Sequence, residues 1–423
     1  MPDKIKKISA LEIIDSRGNP TIETTVELSS GISGTASVPS GASTGRFEAH
    51  ELRDGDQARY NGKGVLKAIN NVNTIFNQEL NGLSVVEQKK IDDLMIKLDG
   101  SKNKSNLGAN AIVSVSLAVA HAAAKFNKVE LYEYLRSLYN PKLKKYQLPT
   151  PVVNVINGGA HASTNINIQE FWLVPAKAKN FSDKLRQASE IFHKLGDILQ
   201  VAGYDTDLGN EGGYAPEVKS HKQVFEFLMQ AIESSGYQPG QDIFLGIDAG
   251  ASEFYDSHNK VYKLALEGKD FTSSELIDFY FDLMELYPLT LIEDPLDQED
   301  WNSWADFSAD HFINANDIKI IGDDLFVTNV LRLKKGVELG VANSILIKYN
   351  QIGTLSETFE TIRYARENNY KIIISHRSGE TTDTTIADLA VAVNADYIKT
   401  GSTARGERTA KYNRLLRIEQ KIK

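Results

Sequence analysis

Six short apolar runs in the second half of the sequence each end in a side chain that could do chemistry. In chain order these terminal residues are Asp248, Glu293, Asp323, Lys348, His376 and Lys399. A single polar residue at the end of a buried parallel strand is common, because the strand ends where solvent begins. Six in succession, all able to bind ions or form hydrogen bonds, indicate one shared site at the carboxyl ends of the strands.

Three of these side chains are carboxylates and indicate a metal site. Asp248, Glu293 and Asp323 would repel one another strongly if they converged without a cation among them. The chain has no cysteine, and oxygen ligands without sulfur or clustered histidine favour Mg²⁺, with Mn²⁺ as a substitute. The alternative interpretation is that each carboxylate caps a following helix, a position that aspartate suits.

The other three strand ends predict an anion-binding side of the same site. Lys348, Lys399 and the consecutive residues His376, Arg377 and Ser378 supply positive charge, a bidentate guanidinium and a hydroxyl. These are the groups that bind phosphate or carboxylate. Surface salt bridges would explain any one of them, but less readily all of them. A metal opposite basic groups favours a substrate with more than one negative charge.

Two glycine-rich stretches lie outside these runs. Residues 38–54 contain small side chains that permit close backbone approach and the motion of a lid. Residues 209–216 carry Glu211 on a turn that would face the site if the loop folded over it. The chain lacks the G-x-x-x-x-G-K spacing of a nucleotide-binding loop, so nothing indicates the use of ATP.

The spacing of the six runs predicts the elements that position these residues. Gaps of 45, 30, 25, 28 and 23 residues separate their terminal residues, and each gap can hold a helix with two loops, as in consecutive βα units. Continuous apolar strands between helices indicate a parallel sheet that is buried on both faces. A closed (β/α) barrel would bring all six strand ends to one rim.

Two further strands complete the predicted barrel. Residues 152–157 and 168–175 are separated by only ten residues, which are too few for a helical crossover, so this pair should be antiparallel. In the second strand Gln169 and Glu170 precede the apolar part, as they must if its beginning lies at the rim. The prediction is an α/β protein with an eight-stranded ββαα(βα)6 barrel that has one inverted strand.

The first third of the chain predicts a separate small domain. Residues 21–28 and 31–39 indicate a hairpin, and residues 64–80 and 84–100 have helical spacing. Three prolines and a lysine cluster in residues 139–153 mark the boundary. We therefore expect an α+β capping domain with a mobile substrate loop over residues 1–138 and a catalytic barrel over residues 139–423.

The bulk properties limit the partners of the protein. A formal net charge of −9 argues against binding to a nucleic-acid backbone. The apolar residues 111–124 are too few to span a membrane and contain His121, which predicts a buried helix and no membrane insertion. The absence of cysteine and of an apolar signal-peptide stretch at the start favours a cytoplasmic location.

The sequence resembles the enolase family, the 2-phosphoglycerate hydro-lyases, almost from end to end. The similarity begins at EIIDSRGNPT (12–21) and ends at AKYNRLLRIE (410–419). Between them stand, in the family's order, SGASTG, NGGAHA, QEF, IDAGASEF, IEDP, GDDLFVTN, LIKYNQIGTLSET, SHRSGET and IKTGS. The resemblance is to bacterial-type members. It implies a small α+β domain that caps a barrel with one inverted strand, in agreement with the strand spacing.

The resemblance also implies a reaction and its residues. The reaction is the reversible dehydration of 2-phosphoglycerate to phosphoenolpyruvate in glycolysis and gluconeogenesis, with two Mg²⁺ ions per active site. Lys348 would be the base that takes the proton from C2, and Glu211 the acid that protonates the departing C3 hydroxyl. A neutral Lys348 is expected, because burial, Mg²⁺ and Lys399 would all lower its pKa.

The remaining roles follow from the same motifs. One Mg²⁺ would be held by Asp248, Glu293 and Asp323, and Ser43 of the lid would be a ligand of the other. Arg377 and Ser378 would bind the substrate phosphate, and Lys399 its carboxylate. The site around the phosphate and the leaving group would be lined by His161, Gln169, Glu170 and His376, of which His161, Glu170 and His376 are further candidates for catalysis.

Several residues depart from the family pattern. Asn210 stands before Glu211 where the family usually has Asp, and Thr382 stands where it usually has Glu. Trp172 and Tyr349 replace smaller or more flexible apolar residues, and Tyr349 should pack on the side of its strand away from Lys348.

Two other functions stay open at this point. The departures leave room for a related enzyme that uses the same metal and lysine on another carboxylate, such as a phosphonate or carboxyphosphate analogue. Members of the family also have second roles at the cell surface, or as a secreted adhesin or scaffold. In such a role the terminal lysine would be a docking point. The family also implies a homodimer or octamer.

Overall fold

The first 40 residues build a three-stranded antiparallel sheet. The computed structural model, which describes residues 3–41 and 45–422, has the strands Ile5–Ile14 (β1), Pro20–Leu28 (β2) and Ser33–Ser37 (β3) in the order β1-β2-β3. The predicted hairpin is confirmed as β2 and β3. Strand β1 was not predicted, because its buried residues do not alternate and its register shifts between Ile5 and Lys7.

Helices cover one face of this sheet. They are Leu66–Asn71 (α1), Asn77–Glu79 (α2), Gln88–Asp99 (α3), Ala109–Phe126 (α4) and Leu131–Tyr139 (α5), with a π-helical stretch Val72–Phe76 between the first two. Helix α4 packs so closely on β3 that a Cβ at Gly34 would lie 2.1 Å from the backbone nitrogen of Ala122. By length and composition α4 could cross a membrane, but 83% of it is buried inside the protein. It forms the core of this domain, as predicted.

Eight strands close into the predicted barrel. In chain order they are Thr150–Asn157 (β4), Glu170–Pro175 (β5), Ile243–Asp248 (β6), Leu289–Glu293 (β10), Lys319–Gly322 (β11), Ser344–Ile347 (β12), Lys371–Ser375 (β13) and Tyr397–Lys399 (β14). Around the ring they follow the order β10-β11-β12-β13-β14-β4-β5-β6. Strand β5 is antiparallel to both neighbours, β4 and β6, and the other pairs are parallel. The inverted strand is therefore confirmed.

The inversion brings the beginning of β5 to the rim. Glu170, the first residue of β5, pairs with Asn157 at the end of β4 and with Asp248 at the end of β6. A parallel strand in this place would have presented Pro175 there instead. The link of twelve residues, 158–169, is too short for a helical crossover and allows only the predicted antiparallel arrangement.

Helices surround the barrel and connect its strands. They are Phe181–Val201 (α6), His221–Ser234 (α7), Ser273–Leu286 (α8), Trp301–Ala309 (α9), His311–Ala315 (α10), Val330–Leu339 (α11), Tyr349–Ile352 (α12), Leu355–Glu367 (α13), Thr385–Ala392 (α14) and Gly406–Ile422 (α15). The chain between β6 and β10 also holds a second three-stranded sheet, with strands Tyr255–Asp256 (β7), Val261–Leu264 (β8) and Lys269–Phe271 (β9). The order is ββαα(βα)6 with this insertion, so the predicted fold class is confirmed.

The barrel has two apolar layers. A small interior cluster fills the space inside the ring and consists of Val152, Trp172, Val174, Leu291, Ile321, Leu346 and Ile373. The larger core lies between the strands and the surrounding helices and continues into the N-terminal domain. Tyr349 belongs to this outer core, on the side of β12 away from Leu346, which agrees with its expected orientation.

The N-terminal domain docks on the barrel through polar contacts in addition to the shared apolar core. Helix α5 is fixed to α14 by Arg136, whose Nη2 donates to the carbonyl oxygen of Val391 at 2.8 Å. Helix α3 meets α13, where Ser356 donates to Asp92. The division at residues 138 and 139 stays a prediction, since α5 extends to Tyr139 and packs against both parts.

Candidate active site

The predicted residues meet in a cavity at the carboxyl end of the barrel. The side chains that line the cavity leave a volume of about 20 Å³, which is room for about one water molecule. The predicted residues that line the cavity are His161, Gln169, Glu170, Glu211, Asp248, Asp323, Lys348, His376, Arg377, Ser378 and Lys399. Glu293 is fully buried and does not line the cavity, but it lies 2.9 Å from Lys399 Nζ. Ser43 lies outside the described residues, so its proposed role as a metal ligand stays a prediction.

Alternation along the strands delivers these side chains to the interior. In β12, Leu346 points into the barrel, and Lys348, two residues later, continues on the same side. At β5 the same alternation places Glu170 and Trp172 on one face, with Glu170 at the rim. Each strand thus ends with a polar group directly above the apolar interior cluster.

Lys399 forms ion pairs with three carboxylates of the site. Its Nζ lies 2.8 Å from Asp248, 2.9 Å from Glu293 and 3.0 Å from Glu170. Burial lowers the pKa of Lys399, but the surrounding carboxylates, Asp248 first, raise it well above its ordinary value. Lys399 is therefore a permanent cation. For Glu293, burial and the charge of Asp248 together raise the pKa well above its usual range.

Lys348 is paired with Asp323. Its Nζ donates to one carboxylate oxygen of Asp323, and Gln351 Nε2 donates to the other at 2.9 Å. Burial lowers the pKa of Lys348, but the Asp323 carboxylate outweighs this and raises the pKa above its ordinary value. Lys348 is therefore charged in the protein alone, and the neutral Lys348 expected for the site with Mg²⁺ bound stays a prediction. The expectation did not count Asp323 as the partner of the lysine.

Glu211 lies among histidines on the other side of the cavity. One of its oxygens is 3.1 Å from His376 Nε2 and the other 3.7 Å from His161 Nδ1. Asn154 Nδ2 donates to Glu211 at 3.2 Å. Burial raises the pKa of Glu211, but His376 and His161 outweigh this and hold it well below its usual range.

The two histidines differ in their protonation. Burial lowers the pKa of both, yet Glu211 and Glu170 raise the pKa of His161 above its ordinary value. The pKa of His376 stays lowered, with the Arg408 guanidinium adding to the effect of burial. Arg408 Nη1 lies 2.6 Å from His376 Nδ1, so Nδ1 accepts and the ring proton belongs on Nε2, facing Glu211. His161 Nδ1 thus lies between two carboxylates, 3.3 Å from Glu170 and 3.7 Å from Glu211, and these raise its affinity for a proton.

Arg377 is held by Glu48, which was not among the predicted site residues. Its Nη1 and Nη2 donate to the two oxygens of Glu48, at 2.9 and 3.1 Å. Glu48 belongs to the glycine-rich lid stretch and also accepts from the backbone nitrogen of Gly45 at 3.0 Å. The lid sequence contains acidic residues, but nothing near them in the sequence indicates an ion pair with an arginine more than 300 residues away.

Other residues of the site were missed for similar reasons. Arg408 is fully buried in α15 and donates to the carbonyl oxygens of Arg377 and Ser378, both at 2.6 Å, so it fixes the loop that follows β13. Three further lining residues are Asp294, Asp324 and Ser375. Each stands next to a predicted site residue in the sequence. They were not predicted because adjacent residues of a strand point to opposite faces, which would place these side chains outside the barrel.

The site offers ligands for metal ions. Among the described residues, two groups bring ligand atoms within 4.8 Å of one another: His161, Glu170 and Glu211, and Asp294, Asp323 and Asp324. In the predicted set of Asp248, Glu293 and Asp323, two ammonium groups, of Lys399 and Lys348, lie between the carboxylates. Glu293 Oε2 is buried without a hydrogen-bond partner. Crowded carboxylates, an unpartnered oxygen and all-oxygen donors fit a divalent cation such as Mg²⁺.

The two polar residues that depart from the family pattern, Asn210 and Thr382, lie in different parts of the structure. Asn210 lies in the site loop, where its backbone nitrogen donates to His161 at 2.9 Å and its carbonyl oxygen accepts from Arg408 at 3.2 Å. Thr382 is exposed and is not among the residues that line the cavity.

Comparison with protein families gives two matches that together cover nearly the whole chain. Residues 5–135 match the family described as "Enolase, N-terminal domain". Residues 145–423 match the family described as "Enolase, C-terminal TIM barrel domain". The first match covers the three-stranded sheet and its helices, and the second covers the barrel with all the rim residues described above except the lid. The chain therefore belongs to the enolase family.

Proposed function

We propose that this protein catalyses the reversible dehydration of 2-phosphoglycerate to phosphoenolpyruvate with Lys348 as base, Glu211 as acid and two Mg²⁺ ions. Membership of the enolase family supports a hydro-lyase that interconverts these two compounds in general. The residue roles and the metal ions are the finer part of the proposal. They are supported by the arrangement of the cavity.

One observation carries the proposal: the base and the acid lie on opposite sides of the barrel. Strand β12, which precedes Lys348, and β5, which begins with Glu170, are four places apart in a ring of eight strands. Glu211 lies on the side of Glu170, because both are close to His161 Nδ1. A substrate between them can lose a proton to Lys348 and a hydroxyl group towards Glu211.

The proton acceptor must first lose its own proton. Lys348 is charged while it is paired with Asp323, so it becomes a base only when Asp323 is engaged elsewhere. Two nearby cations, Arg377 and Lys399, lower the pKa of Lys348 and favour the neutral amine once that partner is withdrawn. The proton at C2 lies beside a carboxylate and is weakly acidic, which is why a base in a cation-rich cavity is needed.

The leaving hydroxyl needs a proton, which protonated His161 beside Glu211 would supply. The raised pKa of His161, caused by Glu211 and Glu170, favours its protonated form. Transfer through Glu211 to the C3 hydroxyl makes water the leaving group. Asn154 and His376 hold the Glu211 carboxylate in place during the transfer.

The anionic groups of the substrate match the remaining residues. Arg377 and Ser378 would bind the phosphate, and the substrate phosphate would replace Glu48 on the Arg377 guanidinium. Lys399 would bind the carboxylate. Asp248, Glu293 and Asp323 would hold one Mg²⁺, and Ser43 would be a ligand of the second. Such ions supply Lewis-acid stabilisation of negative charge that develops on the substrate carboxylate.

The direct test is the absorbance of phosphoenolpyruvate formed from 2-phosphoglycerate, first with Mg²⁺ and then with EDTA. We expect a signal that depends on Mg²⁺ and is abolished by the chelator. Well-folded protein without such a signal would refute the proposal. The cytoplasmic location, the bacterial type and assembly as a homodimer or octamer stay predictions.

A further inference from the structure

Trp172 contacts the site from below, at a position where the family usually has a smaller or more flexible residue. It lies on β5, two residues after Glu170 and on the same face, and only 1% of its surface is exposed. Its indole Nε1 donates a hydrogen bond to Glu170 Oε2 at 2.8 Å. Methionine-like or aliphatic side chains have no such donor.

The same indole also faces the cation of the site. Lys399 Nζ lies 4.9 Å from the centre of the Trp172 ring, within the range of a cation–π contact. That ammonium is also 3.0 Å from Glu170 Oε1. Trp172 therefore touches both members of the Glu170–Lys399 ion pair, one through its N–H and the other through its ring face.

The neighbouring strand leaves room for this arrangement. Gly246 on β6 is paired directly with Trp172, and a Cβ at Gly246 would lie 2.6 Å from Trp172 Cε3. Real Cβ atoms do not approach so closely, and both atoms belong to strands of a closed barrel that cannot separate. The absent side chain at Gly246 is thus part of what fixes the plane of the indole.

We propose that Trp172 is a positioning residue that holds the carboxylate of Glu170 and the ammonium of Lys399 in the orientation that the reaction needs. The role rests on the proposed function, in which Glu170 and Lys399 contact substrate. Trp172 itself does not line the cavity. It acts by occupying Glu170 Oε2, which leaves Oε1 directed towards Lys399 and His161 Nδ1, the latter at 3.3 Å.

The physical reason is the burial of Glu170. A fully buried carboxylate oxygen without a donor is costly, and a charged acceptor strengthens the hydrogen bond that satisfies it. Without the indole N–H, Glu170 Oε2 would turn towards another donor and move Oε1 away from Lys399. Phenylalanine at this position keeps an aromatic ring but removes the donor.

The kinetic test compares Trp172→Phe with Trp304→Phe. We expect kcat of Trp172→Phe to fall about tenfold, as for the loss of one hydrogen bond to a charged group, with KM changed less than threefold. The matched control, Trp304→Phe, also removes a buried indole donor, but one that bonds Asp297 O in the loop before α9, and its kcat should stay within twofold of wild type. Wild-type kcat in Trp172→Phe would overturn the proposal.

A double variant shows whether Trp172 acts through Glu170. In a Glu170→Ala background, Trp172→Phe should reduce kcat by less than a further twofold, because the acceptor that it positions is gone. A full additional tenfold loss would mean that Trp172 acts by another route and would overturn the positioning role. A general loss of stability would affect both backgrounds equally.

Fluorescence provides a readout that does not need turnover. Mg²⁺ alone should change the emission of Trp172, because a cation held by Asp248 and Glu293 takes these partners from Lys399 and shifts the ammonium over the ring. The chain has three tryptophans, so the Trp172 part is the difference between wild type and Trp172→Phe. An identical Mg²⁺ response in the two proteins would refute the contact with Lys399.

If Trp172→Phe does not fold, Gly246→Ala provides a second test of the positioning role of Trp172. This change keeps every polar side chain of the site and displaces the indole from the side of β6, so it should reproduce the fall in kcat. Wild-type kcat in a folded Gly246→Ala protein would overturn the proposal. If wild-type protein forms no phosphoenolpyruvate but the fluorescence difference is present, the proposed function fails and the position of Trp172 stands.

Discussion

At the scale of single residues, the site is a set of buried charges that are held by one another. Lys399 lies among Asp248, Glu293 and Glu170, while Lys348 is bound to Asp323. Each lysine thus satisfies carboxylates that would be very costly if left unpaired in the interior. The same pairing sets the condition for catalysis, because a charged lysine cannot accept a proton.

Lys348→Ala tests the base directly. Loss of the only group proposed to take the C2 proton should lower kcat by about 10³-fold, within the usual range for a general base. Lys319→Met is the matched control, since Lys319 is a buried lysine at the opposite end of the barrel, at the start of β11. Turnover is measured by the formation of phosphoenolpyruvate. Full activity in a folded Lys348→Ala protein would exclude this mechanism.

Asn210→Asp tests how the acid is tuned. A carboxylate next to Glu211 disfavours the ionised form of Glu211 and so raises its pKa. We expect the limb of the pH–rate profile that reports Glu211 to move to higher pH by roughly one unit, with the enzyme still active.

The control for Asn210→Asp is Asn259→Asp. It makes the same change in charge at an exposed position in the turn between β7 and β8, so its pH–rate profile should match that of wild type. An unaltered profile in Asn210→Asp would show that this position does not influence Glu211.

At the scale of elements, the contact between α3 and α13 carries a buried acid outside the active site. Asp92 accepts from the backbone nitrogen and hydroxyl of Ser356, at 3.1 and 2.6 Å, and from Gln88 Nε2 at 3.1 Å. Burial nevertheless raises the pKa of Asp92 from 3.8 to about 6. The folded protein therefore binds this proton more tightly than the unfolded chain does.

Stability should consequently fall as the pH rises through the pKa of Asp92. The contribution is complete below pH 3.8 and is lost as the pH rises through about 6, an effect of roughly 3 kcal/mol in the free energy of unfolding. Asp92→Asn removes this titration, so its unfolding free energy relative to wild type should increase by that amount between pH 4 and pH 7. Urea unfolding at a series of pH values measures it.

The control for Asp92 lies one residue further along the same helix. Asp93 is exposed and pairs with Lys89, so Asp93→Asn should keep the wild-type dependence of stability on pH. If Asp92→Asn also kept it, the buried carboxylate would not be the source.

The elements also show what a sequence can predict. Strand ends such as those at Asp248 and Lys348 were predictable, because an apolar run that stops at a polar residue is a local pattern. The inversion of β5 followed from the length of one link. The three-stranded insertion of β7 to β9 was not predicted, because a long gap between strands does not reveal what fills it.

Residue pairings were beyond the reach of the sequence for a physical reason. Lys348 was expected to be neutral because its strand suggested burial among cations, whereas Asp323 of the preceding βα unit is its partner. Glu48 and Arg377 are likewise distant along the chain. Electrostatics depends on distances of a few ångströms between elements, which spacing along the chain does not give.

At the scale of the whole molecule, the N-terminal domain supplies part of the site. Glu48 crosses from this domain to Arg377, and Arg46 donates its backbone N–H to Gln298 of the barrel at 2.9 Å. Phe47 lies under the Arg332 guanidinium at 3.9 Å. The described part of the lid is thus anchored to the barrel on both sides of Phe47, and phosphate binding at Arg377 requires this anchor to rearrange.

The last prediction concerns how metal binding affects the stability of the whole protein. Glu293, with its strongly raised pKa beside Asp248, shows that the carboxylates of the rim are crowded, and Mg²⁺ would relieve that repulsion only in the folded state. At 100 times its dissociation constant, a ligand of this kind contributes about 2.7 kcal/mol. We therefore expect Mg²⁺ to raise Tm by about 3 °C, and EDTA to reverse the change.

Two variants test whether that increase in Tm comes from Mg²⁺ bound at the strand ends. Asp248→Asn removes one proposed ligand and should abolish most of the Mg²⁺-dependent rise. Asp317→Asn removes an equal charge at the opposite end of the barrel, where 92% of the side chain is exposed, and should keep the rise. Both are read by thermal unfolding with and without Mg²⁺. An unchanged rise in Asp248→Asn would place the stabilising ion away from the strand ends, and the proposed metal site would then be wrong even if the enzyme were active.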